Sequence, residues 1–95
     1  MDAKEAIRRA KIYVADMFSD ENIANIGLEE VRRDDEGRNW LITIGFSRVP
    51  QSQLNTQVLA NFIGHVRDLP RVYKIVTMDD SDGELVSITN RLVEH

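Results

Sequence analysis

The chain has 95 residues, 42% of them hydrophobic, with 16 acidic against 12 basic side chains for a formal net charge of −4. One domain over 1–95 is expected: at this size roughly two thirds or less of the unfolded surface can be buried, and the apolar content suffices without a metal or disulfide staple. The absence of cysteine excludes disulfides, thiolate chemistry and cysteine-ligated metals, the acidic balance argues against a nucleic-acid partner, and no apolar run approaches the ~20 residues of a membrane span.

Met1-Asp2-Ala3-Lys4-Glu5 lacks the basic-then-apolar order of a signal peptide. The expectation is therefore a cytoplasmic chain with no membrane partner, although one trimmed of an export signal would read the same way. Asp2 is a helix N-cap with Glu5 three residues on, the capping-box spacing. Ala3, Ile7, Ala10, Val14 and Met17, widened by Ala6 and Phe18, form one apolar stripe at helical spacing. Ser19-Asp20-Glu21-Asn22 ends this first helix.

A first strand is expected over 26–33. Ile26 and Leu28 alternate while Val31 is out of phase, which points to a bulge near Glu29-Glu30. The turn at 34–38 leads into a second strand over 39–47, where Trp40, Ile42, Ile44 and Phe46 alternate strictly, the pattern of a half-buried sheet. In 52–68, Leu54, Val58, Leu59, Phe62, Ile63 and Val66 fit helical spacing, so a short second helix is expected, closed by Pro70. Strands over 71–78 and 84–91 follow, with Tyr73, Ile75, Val86 and Ile88 expected on the core side and Lys74 on the other. The order α-β-β-α-β-β is an α+β fold: an N-terminal helix packed on one face of a four-stranded antiparallel sheet built from two hairpins, with the second helix between them.

Motifs that carry chemistry are scarce. The five glycines stand apart, with no phosphate loop, and Gly45-Phe46-Ser47-Arg48-Val49 lacks the second glycine of a nucleophile elbow. His65 and His95 are the two histidines, too far apart to pair on one helix. With Gly83 at the sixth position of a calcium loop, Asp82 and Asp80 fit, but Met78 and Thr89 fall where carboxylates are needed. Asp79-Asp80-Ser81-Asp82-Gly83 therefore reads as a hairpin turn, since Asp and Gly accept positive φ. Glu29 and Glu30, as neighbours on a strand, face opposite sides unless a bulge realigns them. Arg8-Arg9 and Arg32-Arg33, each with acidic neighbours, read as solvated faces. No catalytic, cofactor-binding or metal-ligating residue is assigned, and no cofactor is expected.

The Ala-rich opening helix (Ala3, Ala6, Ala10), Trp40-Leu41-Ile42-Thr43-Ile44 behind an acidic turn, Tyr73-Lys74-Ile75-Val76 and Asp82-Gly83-Glu84-Leu85-Val86-Ser87 together resemble a PepSY-type domain. The positions that match are Tyr73-Lys74-Ile75, Asp79 and Gly83-Glu84, and the likeness spans most of the chain outside residues 50–70. The resemblance implies a helix packed on an antiparallel sheet and a non-catalytic module, in several members linked with inhibiting or regulating peptidases. The apolar stretch between the hairpins departs from that family's pattern.

The functional expectation is a non-catalytic binding or regulatory module, with another protein or a second copy as partner. Its recognition surface would include Val58, Leu59, Phe62 and Ile63. The alternative is a small-molecule binder or minor enzyme using a pocket between helix and sheet, lined by Tyr13, Trp40 and Tyr73.

Overall fold

The computed structural model describes residues 1–49 and 70–91. Helix α1 spans Ala3–Met17, and the Asp2 carboxylate accepts the Glu5 N–H as its N-cap. Glu5 does not complete the box: its carboxylate is taken by Arg8 at 2.6 Å and Arg9 at 2.9 Å. Those guanidiniums hold it below the usual carboxylate range, with the Arg8 hydrogen bond the larger cause. The helix buries Ala6, Ala10 and Val14 completely, while Met17, expected on the same stripe, is left exposed and the next residue, Phe18, packs on the core instead.

Four strands follow, β1 (Ile23–Arg33), β2 (Asn39–Arg48), β3 (Arg71–Asp79) and β4 (Leu85–Asn90), hydrogen-bonded in the order β1-β2-β3-β4 with every neighbour antiparallel. This is the expected α+β arrangement of one helix on one face of a four-stranded sheet. The second helix expected over 52–68 lies outside the described residues. The β1 ladder breaks twice, between Ala24 and Gly27 and again between Leu28 and Glu30, so the bulge expected at Glu29-Glu30 is present.

Beneath α1, Trp40, Ile42, Ile44 and Phe46 meet Val76 and Met78, and Phe18 closes one end with its ring centroid 5.3 Å from that of Phe46. Each of these large side chains stabilises the fold by about 1.5–3 kcal/mol on burial. The two fully buried alanines let the helix lie close to them.

Both C-terminal strands correct the expected facing. Trp40 is registered with Met78 and Ile42 with Val76, so the even-numbered residues of β3 face the helix. Tyr73, Ile75 and Thr77 therefore lie on the opposite face. Lys74 shares the core row because its ammonium lies at the edge of the core, 5.3 Å over the Phe18 ring, and donates to the Asn90 side chain. In β4, Leu85 opposes Met78 and Ile88 opposes Val76, three residues apart, with one extra residue between. That bulge leaves Val86 59% exposed, whereas Ile88 packs on the core as expected.

Candidate functional site

The acidic turn between β3 and β4 is built by its own side chains. The Asp79 carboxylate accepts the Ser81 N–H at 2.8 Å and the Ser81 hydroxyl, and the Asp82 carboxylate accepts the Glu84 N–H at 2.8 Å. These bonds make the tight turn that the composition called for, and they hold the Asp79 carboxyl below its ordinary range, with the Ser81 hydroxyl as the first cause. Asp80 reaches the other way. Its Oδ1 accepts Trp40 Nε1 at 2.6 Å and lies 2.5 Å from Arg33 Nη2, whose guanidinium sits 4.6 Å over the Trp40 ring. Arg33 is the larger cause of the lowered Asp80 pKa, and the indole hydrogen bond adds to it.

The Asp80 N–H also donates to the Arg38 carbonyl at 2.9 Å, tying this turn to the one between β1 and β2. A shallow depression of about 200 Å³ lies at this junction, lined by Gly37, Arg38, Asp79, Asp80 and Ser81. Its two carboxylates, Asp79 and Asp80, accept hydrogen bonds from donors already in place. No group of three or more His, Cys, Asp or Glu side chains that could hold a metal ion occurs among the described residues.

The sheet face opposite α1 is the larger surface. The antiparallel register places Leu41, Thr43, Gly45 and Ser47 of β2 beside Thr77, Ile75, Tyr73 and Arg71 of β3, and Thr77 and Ile75 beside Ser87 and Thr89 of β4. Among the described residues no helix lies across it. Gly27 and Gly45 oppose one another in the ladder and leave a gap in the row of side chains. The Arg71 guanidinium lies in that gap: a Cβ on Gly45 would stand 2.8 Å from Arg71 Nη2 and 3.1 Å from both Glu29 Oε1 and the Tyr73 ring. Arg71 Nη1 donates to the Asn25 carbonyl at 2.8 Å, and Nη2 is 3.7 Å from Glu29. The Ser47 hydroxyl, fully buried in register with Arg71, has no hydrogen-bond partner among the described residues.

The bulge in β1 does what the sequence reading made its condition. It brings Glu29 against Gly45 and Glu30 opposite Thr43, both on this face. Each then turns to its own arginine, Glu29 to Arg71 and Glu30 to Arg32 at 3.5 Å, so they do not form an acid–base pair.

The pocket expected from Tyr13, Trp40 and Tyr73 does not form. Tyr13 donates to the Gly83 carbonyl at 2.8 Å and Trp40 lies under α1, but Tyr73, registered with Gly45, is on the far side of the sheet. His65, His95 and the apolar group Val58, Leu59, Phe62 and Ile63 lie outside the described residues. Arg71 and the Gly27–Gly45 pair were missed in the sequence; the signal was a glycine in the midst of strict apolar alternation, which marks a close approach by another group.

No helix among the described residues is long and apolar enough to cross a membrane. Comparison with protein-family models, curated protein sequences and solved structures found no match.

Proposed function

We propose that the protein is a non-catalytic binding module that works through protein–protein contacts on the sheet face opposite α1. One observation carries this reading. Leu41, Tyr73 and Ile75, each half-buried, occupy neighbouring positions on the sheet face opposite α1, with Glu29 and Arg71 beside them. Large apolar groups next to a charged pair are the composition of a recognition patch, with aromatic and arginine anchors at its centre. The resemblance to PepSY-type domains points the same way, towards a module that regulates another protein.

The test is capture from native extract by the immobilised protein, followed by rebinding of the purified captured protein. Tyr73→Glu with Ile75→Lys should leave the far-UV circular dichroism unchanged and reduce that rebinding by roughly a hundredfold, the loss of two anchors. Undiminished rebinding by this folded double variant ends the proposal.

A further inference from the structure

The two edges of the sheet are built differently. β1 carries Glu29, Glu30, Arg32 and Arg33, two register breaks, and Asn25 at a positive φ of 58°. Charges and bulges of this kind keep a second strand from pairing with an edge. β4, Leu-Val-Ser-Ile-Thr-Asn, has neither charge nor proline, and its exposed bulged residue is the apolar Val86. Among the described residues no strand lies beyond it.

The hydrogen-bond pattern shows which groups β4 offers. The Arg91 N–H donates to the Tyr73 carbonyl, so by antiparallel alternation Thr89 and Ser87 bond to β3 while Ile88 and Asn90 direct N–H and C=O away from it. We propose that β4 is a self-pairing edge: two copies join by antiparallel β4–β4 contact about a two-fold axis at Ile88, merging two four-stranded sheets into one.

A second copy is the occupant because the strand is complementary to itself. With Ile88 opposite Ile88, outward-directed backbone groups meet outward-directed ones, Ser87 faces Thr89, and Val86 faces Asn90. Hydroxyl and β-branched cross-strand pairs of this sort stabilise antiparallel ladders. The segment Leu85–Asn90 carries no charged residue, so no like-charge pair is brought together at the β4–β4 seam itself. The dimer also uses a different surface from the face assigned to partner binding, so either proposal stands without the other.

Sedimentation equilibrium over a concentration series tests this on the full chain. The expected result is a monomer–dimer equilibrium. Val86→Lys, at a position already in solvent, and Asn90→Pro, which removes an outward N–H that β3 does not use, should each weaken the dimer by roughly tenfold or more, since every change acts twice across the axis. Val31→Lys on β1 should leave it unchanged. Amide exchange gives an independent reading without any variant: Ile88 and Asn90 should gain protection as concentration rises. A monomer at every concentration, a dimer indifferent to Val86→Lys, equal loss in Val31→Lys, or exchange at Ile88 independent of concentration would each overturn the proposal.

Discussion

Gly83 and Gly37 both stand in the left-handed region, at φ +72° and +69°, yet their surroundings differ. Among the described residues nothing lies within 4 Å of where a Cβ would project from Gly37, whereas at Gly83 that position falls on the Arg9 guanidinium. Arg9 is there because it donates to the Asp82 carbonyl at 3.0 Å, next to the Tyr13 bond to Gly83. Gly37→Ala should therefore cost about 1 kcal/mol, the backbone term alone. Gly83→Ala should cost about 2–3 kcal/mol, because the Arg9 contact is displaced as well. Urea unfolding of the two variants measures the difference, and equal losses would mean that α1 gains nothing from gripping this turn.

At the level of elements, β3 shows how a strand with two apolar rows is assigned a face. Tyr73, Ile75 and Thr77 alternate as well as Val72, Val76 and Met78, and the lysine in the second row makes the first look like the core. Register with Trp40 and Ile42 decides it, and Lys74 escapes burial by reaching past Phe18 to Asn90. Val76→Asp should cost roughly 3 kcal/mol or more, because it puts a carboxylate where nothing can solvate it. Ile75→Asp should cost about 1 kcal/mol. Chemical denaturation of the pair checks the assignment, and a larger loss at Ile75 would reverse it. Helix α1 and strand β2 were legible in the sequence because each has a single apolar row. The strand β4 was legible too, but the facing of Val86 was not, since the bulge shifts Val86 out of phase with Ile88 and no local pattern announces an inserted residue.

Across the whole molecule, the last turn is where the elements converge. Asp80 joins Trp40 of β2 and Arg33 of β1, and its carbonyl accepts the α-amino group of Met1 at 3.2 Å. Its carboxyl titrates below the ordinary value of about 4, chiefly through Arg33. A lowered folded-state pKa means that the stabilisation is full above the unfolded pKa and is lost as pH falls through the folded one. Asp80→Asn should therefore be less stable than the parent chain at neutral pH, with the gap closing as pH falls through the lowered folded-state pKa. Urea midpoints measured across that range provide the check; a gap that stays constant down to strong acid would show that the charge on Asp80 contributes nothing.

Local chemistry determined the helix with its Asp2 cap, the alternation of β2, the two acidic turns, the bulge at Glu29-Glu30 and the α+β order. Each of these rests on residues within a few positions of one another, where period and turn preference act directly. Tertiary structure alone decided which row of β3 faces α1, that Val86 is expelled, that Arg71 lies in the gap between Gly27 and Gly45, and that Tyr13 and Tyr73 fall on opposite sides of the sheet. Those outcomes depend on pairing between strands distant in the chain, where a shift of one residue moves every side chain to the other face.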